Sequence, residues 1–337
     1  MCSLFHGGGV LDKAIHAGLS KAGVDSFVEV VVELEESYLE SSLRNNPELW
    51  SDKTIVIESP IEWVHVSGNT LRADVLVAGI PCTGASRAGK SKNKLAFAES
   101  HEAAGACFFY FLNFVAALNP GIVIIENVQE YANTASMAVI RSVLDTFGYS
   151  LQERILEGNE FGALEKRKRL CVVAITRGLG DAFDLNGVLP LRKKENFLTD
   201  VLEPIAPNSN RWKSFDYLAD KELRDKAAGK GFARQLLTGA ESSCGVIGKS
   251  YAKCRSTEPF IVSPCDPTLS RLLTPIEHAK VKGIPLGVID GLSDTIAHEV
   301  LGQSVIYPAF EALGKALGEW MRCNVVAEKH DPVLNAA

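Results

Sequence analysis

An apolar run, Val75-Leu76-Val77-Ala78-Gly79-Ile80, ends in Pro81 and a cysteine, Cys82. A cysteine reacts as its thiolate, and one set at the end of a buried strand is a candidate nucleophile. Most free cysteines are small buried hydrophobes, so on this stretch alone the two readings stand level. A second apolar run, 122–125, leads into Glu126-Asn127-Val128. A glutamate so placed is either a satisfied acid or a group tuned by desolvation. A third run, 170–176, follows Glu165-Lys166-Arg167-Lys168-Arg169, which is either a solvated approach to the strand or a way of bringing arginines to the sheet edge.

The elements that must position these groups alternate. Cys2 to Phe5 is a short apolar run that turns through His6-Gly7-Gly8-Gly9 into a helical pattern over 10–22. Strand, glycine turn and helix open a nucleotide-binding α/β unit, with helix amides facing the ligand. The next strand, 27–32, ends in Glu33, where a ribose hydroxyl is commonly held, although the third glycine of the dinucleotide fingerprint is missing. A helix over 36–44 and strands at 53–58 and 73–80 follow. Helices are expected at 100–118 and 134–147, and strands at 122–125, 149–156 and 170–176. Pro81 stops its strand, and open α/β sheets bind ligands beyond the carboxyl ends of their strands.

After about residue 180 the alternation stops. Residues 181–270 are rich in Pro, Gly, Ser and charge, with short β-like pieces. Six basic residues between Lys226 and Arg255 face one acid, Glu241, and Phe232 and Tyr251 are interleaved among them. Such a stretch has the electrostatic footprint of a surface that tracks a phosphate backbone. The loop 81–98 carries Arg87, Lys90, Lys92 and Lys94 with no acid, which suits a phosphate-bearing substrate. Helical patterning returns at Thr274-Pro275, an N-cap followed by proline at the first helical position, and again near Thr295 and over 309–323.

Composition narrows the class. The 337 residues can bury one large and one small domain, and a hydrophobic share of 46% suits a globular protein. No apolar run approaches the roughly 18 residues of a membrane span, and the N-terminus lacks the pattern of a signal peptide, so the expected location is cytoplasmic. None of the eight cysteines pairs as Cys-x-x-Cys, and the histidines do not bracket them at zinc-ligand spacing, so no metal is expected. The net charge of −6 does not advertise a nucleic-acid partner, and the local distribution matters more.

In order along the chain, these features resemble the cytosine-5 DNA methyltransferases. Phe5-His6-Gly7-Gly8-Gly9 matches that family's first motif, and Pro81-Cys82 with Ser86 matches its Pro-Cys-x-x-x-Ser. Glu126-Asn127-Val128 is intact, and residues 165–169 match Gln-x-Arg-x-Arg. The stretch from Arg271 through Thr274-Pro275 to Lys282-Gly283-Ile284-Pro285 looks like the ninth motif, and Gly302-Gln303-Ser304-Val305 like the tenth. The resemblance implies a Rossmann-like α/β domain dependent on S-adenosylmethionine, with a small, mostly irregular or β target-recognition domain. The expected division is 1–180 for catalysis and cofactor binding, 181–270 for recognition, and 271–337 for helices returning to the catalytic domain.

The implied activity is methyl transfer to carbon 5 of a flipped cytosine in double-stranded DNA. Cys82 would be the nucleophile and Glu126 the proton source at the ring. Arg167 would help bind and polarise the base, with Arg169 in support. Phe5, Gly7, Gly9, Glu33, Glu58, Gln303 and Ser304 would hold the donor. Asn127, Ser86 and Arg87 would serve the cysteine loop and the substrate, and Lys249, Lys253 and Arg255 the DNA. The protein is expected to act as a monomer away from membranes. A cognate restriction nuclease as partner, a regulatory role and a phage-protective role stay open. Ser3, Thr83, Glu165 and Gln303 depart from the family pattern, Ser3 standing where an acid is usual. Two rival readings are an RNA cytosine methyltransferase of the same fold and a catalytically silent nucleic-acid-binding relative. A nicotinamide dehydrogenase is disfavoured by the missing glycine and the Pro-Cys motif.

Overall fold

The computed structural model describes residues 1–67, 71–81, 105–231 and 233–326. They fall into two compact units: Met1–Leu156 with Lys168–Leu189 and Ala309–Ala337, and Glu157–Arg167 with Pro190–Pro308.

The first unit is built on seven strands: β1 (Cys2–Leu4), β2 (Val30–Glu33), β3 (Ile55–Glu58), β4 (Val75–Ala78), β5 (Ile122–Val128), β6 (Tyr149–Glu157) and β7 (Lys168–Thr176). Their order in the sheet is β3-β2-β1-β4-β5-β7-β6. β1 pairs in parallel with β2 on one side and β4 on the other, so the strand order reverses at β1, the position where open α/β sheets bind ligands. The central strands are continuous apolar runs because both faces are covered. Val75–Ala78 and Ile122–Ile125 are buried throughout. Helices α1 (Val10–Lys21), α2 (Glu36–Asn45), α3 (Cys107–Leu118) and α4 (Ala135–Thr146) connect the strands. Phe111, Phe114 and Val115 of α3 and Met137, Ile140 and Leu144 of α4 join the core formed by β1, β4, β5 and β7.

β7 runs antiparallel to β5, and this decides the site. Its first residues lie beside the last residues of β5, with Arg169 opposite Val128 and Cys171 opposite Glu126. Glu126-Asn127-Val128, expected beyond the end of its strand, is therefore inside β5. The β7 ladder continues across all three residues and keeps them extended.

The second unit holds a three-stranded sheet ordered β10-β9-β8, from β8 (Gln235–Leu237), β9 (Pro259–Val262) and β10 (Ser270–Arg271). Its helices are α5 (Asp216–Ala227), α6 (Pro275–Lys282) and α7 (Asp294–Gln303). Leu164, Trp212, Tyr251, Ile261, Leu273 and Val281 belong to its core. Thr274 caps α6 in a capping box with Glu277, and Pro275 occupies the first turn.

The units divide differently from the expected 1–180, 181–270 and 271–337: residues 157–167 group with the second unit and 181–189 with the first. Residues 271–308 group with the second unit, and the return to the first comes at Ala309, the start of most of α8 (Tyr307–Met321). Helix α5 stands in a region read as irregular or β. It buries only Leu218, so it carries almost no apolar periodicity, and it is sustained by acid in its first turn, base in its last, and the Lys221–Asp225 pair at 3.1 Å.

Candidate active site

The carboxyl end of β1 carries the first group of residues. Phe5 adopts φ 58°, a left-handed conformation that costs a non-glycine residue energy and is typically kept at functional turns. Gly7 follows at φ 59° and Gly9 at φ 74°. A Cβ on Gly9 would lie 2.2 Å from Ser42 Oγ and 2.7 Å from His6 Nε2, so only glycine fits there. The Gly7 amide donates to Glu33 Oε2 at 2.6 Å and the Glu35 amide to Oε1 at 2.9 Å. Glu33 thus ties the turn after β1 to the end of β2. Glu58 lies beside Glu33 in the parallel ladder and is exposed.

The second group stands at β5 and β7. On one face of an antiparallel pair, diagonal neighbours lie within reach of long side chains, which brings Arg169 to Glu126. Their ion pair is 2.7 Å, with 15% and 14% of the side chains exposed. Asn127, one residue on, faces the other way and is buried. Its Nδ2 donates to the Ile80 carbonyl at 3.1 Å, and its Oδ1 accepts from the Val128 amide at 2.9 Å. The amide is therefore spent on fixing the backbone two residues before Cys82. Cys82, Ser86 and Arg87 lie outside the described residues.

Arg167 is not in this group. It sits in the second unit, 3% exposed, donating to the carbonyls of Ile247 at 3.4 Å and Gly302 at 3.2 Å and lying 3.5 Å from Glu165. The contact with Glu126 thus belongs to Arg169 rather than to the arginine two residues earlier. The strand begins at Lys168, and before that point no ladder holds the chain along β5. Glu165 is buried with Lys282 at 2.8 Å and accepts from the Ile247 amide at 2.8 Å. Burial alone would raise its pKa, but Lys282, Arg167 and that amide outweigh burial and hold it below the usual range. The glutamate in place of the family's glutamine thus neutralises two buried cations.

Burial makes the described core cysteines poor nucleophiles. It pushes Cys2 up to about 12 and Cys107 to about 11. Cys171, across the ladder from Glu126, is pushed up by burial and then by that carboxylate, and Cys244 by burial and then by Glu165.

Of the other expected residues, Gln303 and Ser304 close α7 in the second unit, with the Ser304 hydroxyl donating to the Leu301 carbonyl at 2.5 Å. Lys249, Lys253 and Arg255 are exposed around the turn Tyr251–Lys253. The wider basic run is less uniform than its sequence implies. Lys230 pairs with Asp225, Arg234 packs over the Phe260 ring at 5.7 Å, and Tyr251 is fully buried with its hydroxyl on the Pro259 carbonyl. Phe232 lies outside the described residues.

Four residues that the motifs did not single out, His6, Asp12, Ser42 and Asn46, form a buried polar cluster under the glycine turn. Asp12 follows the turn directly. Ser42 and Asn46 come from α2 and its end, and no local pattern ties them to residues more than 30 positions earlier.

With this geometry in view, residues 1–319 match the profile of the C-5 cytosine-specific DNA methylases. The chain belongs to that family. Similar relatives include the type II methyltransferase M1.ScrFI of Lactococcus lactis subsp. cremoris, 26% identical over 73% of this chain and 62% of that protein. Another is M.Eco47II of Escherichia coli, 28% identical over 80% of this chain and 67% of that protein. The chain thus spans just under two thirds of the first of these and about two thirds of the second. Among solved structures, the Dnmt2 methyltransferase of S. pombe shares the fold with TM-score 0.71 at 16% identity, covering 96% of this chain and 98% of that one. The Entamoeba histolytica methyltransferase EhMeth has TM-score 0.72 at 18% identity, over 95% and 98%. The family's fold is the Rossmann-like methyltransferase architecture seen in the first unit. Among the described residues no helix is long and apolar enough to cross a membrane.

Proposed function

We propose that this protein is a DNA (cytosine-5-)-methyltransferase using S-adenosylmethionine. The observation that carries the reading is the end of β5. There Glu126 is paired with Arg169 on one face, and on the other Asn127 fixes the backbone that leads into Cys82.

Carbon 5 of cytosine is too weak a nucleophile to take a methyl group unaided. The Cys82 thiolate adds to carbon 6, forming a C–S bond and pushing the ring electrons toward carbon 5 and the ring nitrogen. Glu126 holds the ring nitrogen and exocyclic amine and supplies the proton that the nitrogen gains. Arg169 orients the Glu126 carboxyl and presents a guanidinium beside the base, the role first read for Arg167. After transfer, loss of the carbon 5 proton expels the thiolate and restores the aromatic ring. S-adenosylmethionine, when bound, supplies an electrophilic methyl group. The residues at β1 suit such a donor: Gly7 and Gly9 allow close backbone approach, Phe5 offers an aromatic wall, and Glu33 is a carboxylate positioned for ribose hydroxyls, with Glu58 beside it. Gln303 and Ser304 are further donor contacts suggested by the tenth motif.

The target base has to leave the duplex to be reached. We assign base recognition to the second unit and backbone contacts to Lys249, Lys253 and Arg255. Ser86 and Arg87 serve the loop that carries Cys82. The cytoplasm, as a monomer on double-stranded DNA, is the setting that fits this work.

The test is transfer of labelled methyl from S-adenosylmethionine to duplex DNA and, in parallel, to structured RNA. Wild type should label DNA, bisulfite sequencing should map the sites, and Cys82→Ser should abolish transfer without shifting thermal unfolding. Wild-type activity in Cys82→Ser would overturn the mechanism, and labelling of RNA alone would overturn the substrate.

A further inference from the structure

Building on the donor site assigned above, we propose that His6 is a positioning residue, the centre of a buried Ser42–His6–Asp12 relay that holds the glycine turn in its donor-binding shape. His6 Nε2 lies 2.8 Å from Ser42 Oγ, and its Nδ1 lies 2.9 Å from Asp12 Oδ2. Ser3 Oγ is 2.9 Å from both His6 Nδ1 and Asp12 Oδ2. Asn46 Nδ2 donates to the Gly8 carbonyl at 3.2 Å and to Ser42 Oγ at 2.9 Å.

These contacts fix the proton positions. Asn46 must present its NH2 group, because Gly8 offers only a carbonyl. Ser42 then accepts from Asn46, and its own hydrogen is free for His6 Nε2. The imidazole proton is left on Nδ1, aimed at the Asp12 carboxylate, which also accepts from Ser3. Apart from the Asn46 bond to the Gly8 carbonyl, the hydrogen bonds run toward Asp12.

Serine, histidine and aspartate at these distances have the connectivity of a hydrolase triad. Burial excludes that use: Ser42 is 0% exposed, Asp12 1% and His6 5%, so no substrate reaches the hydroxyl. The relay instead encloses the turn. Ser42 Oγ and His6 Nε2 occupy the space that a Gly9 side chain would need, and Asn46 grips the carbonyl of Gly8. Gly7, the next residue in that turn, is the one bound to Glu33. Displacing the relay therefore displaces the ribose-binding carboxylate. The chain has Ser3 where the family pattern has an acid, and Asp12 supplies a carboxylate to the same hydroxyl from one turn into α1. Asp12 Oδ1 is buried with no hydrogen-bond partner among the described residues, so the carboxylate's contacts are made through Oδ2.

The experiment uses the full chain and two readouts. Amide hydrogen exchange over residues 3–12 is measured without donor, and the kinetics of methyl transfer are measured with S-adenosylmethionine and duplex DNA. Asp12→Asn should speed exchange in the turn and raise the KM for donor about tenfold, with kcat changed less than about twofold, as expected for loss of one charge-assisted contact. Adding Ser3→Asp should restore both by returning a carboxylate to His6. Unchanged exchange and KM in Asp12→Asn overturn the relay, as does a loss that Ser3→Asp leaves unrepaired. Faster exchange in a wild-type chain background that binds no donor would instead overturn the donor assignment while leaving the turn-holding role standing.

Discussion

Two ion-pair clusters two residues apart in sequence behave in opposite ways. Arg169 meets Glu126 on the first unit's sheet, with both side chains still about one seventh exposed. Arg167 belongs to the second unit, where Glu165 and Lys282 are 2% and 0% exposed and one carboxylate faces two cations. The first pair is mostly buried but keeps an exposed edge. The second is closed: its charges meet one another, the Ile247 amide and the carbonyls of Ile247 and Gly302. One short motif thus contributes a partly exposed arginine and a buried one, and the start of β7 is the dividing line.

This contrast can be broken from either side. Glu126→Gln should cut methyl transfer about 10²–10⁴-fold, the range for losing a general acid, with Tm shifted by only a few degrees. Arg169→Ala should fall in the same direction on kcat. If either variant lowers Tm by much more than a few degrees while the folded protein keeps its specific activity, the open pair is structural and the contrast collapses. Lys282→Met should do the reverse, destabilising the fold by about 3–5 kcal/mol because buried Glu165 loses its 2.8 Å partner and keeps only the longer contact with Arg167 at 3.5 Å. The double change Lys282→Met with Glu165→Gln should recover only part of that loss in chemical denaturation, because Glu165 also faces buried Arg167 at 3.5 Å. A single Lys282→Met variant as stable as wild type would show that Glu165 does not need its partner.

How far each cluster was legible follows from what fixes it. β1, β4 and β5 are buried on both faces, so they read as apolar runs, and the polar residues at their ends stood out at once. The antiparallel direction of β7 is not a local property. Without it, nothing local in the motif says that Arg169 and not Arg167 pairs with Glu126. Glu165 looked like a departure from a pattern until Lys282, 117 residues later, explained it. The buried relay was invisible for the same reason, since Ser42 and Asn46 are ordinary polar residues on a helix until the fold sets them against Gly9. Local periodicity yields elements, whereas partners chosen across long separations need the fold itself.

The closed character of the second unit also predicts a pH response. His278 and His298 stack with ring centroids 5.2 Å apart, their Nδ1 atoms 3.0 Å from each other, and Tyr251 packs against both rings. Burial, then Lys282, His298 and Arg167, hold His278 well below the ordinary value, and burial lowers His298 to about 4, opposed by Asp294 and aided by Arg211. Both folded values lie below the unfolded 6.5, so the unfolded chain takes up protons first as pH falls. Their contribution is complete above about pH 6.5 and is lost as pH drops toward 4, on the order of 3 kcal/mol for His298 alone. Urea unfolding at pH 7 and pH 5 should show this fall, and His298→Gln should flatten it. An unchanged slope in that variant would mean the pair is not what senses pH.

The smallest effect is expected at the most open charges of all. Lys249, Lys253 and Arg255 are exposed beside the buried Tyr251, so each is within reach of a phosphate at the surface. A phosphate contact is worth about one unit of salt slope and carries no base information. Neutralising all three with Gln should therefore leave Tm within a few degrees, weaken DNA binding by roughly tenfold at moderate salt, and reduce the slope of log affinity against log salt by up to about three. The loss should be equal on target and non-target duplexes, because phosphates are the same in both. A loss confined to the target sequence would make these side chains base readers, and an unchanged slope would move the backbone-tracking surface away from this turn.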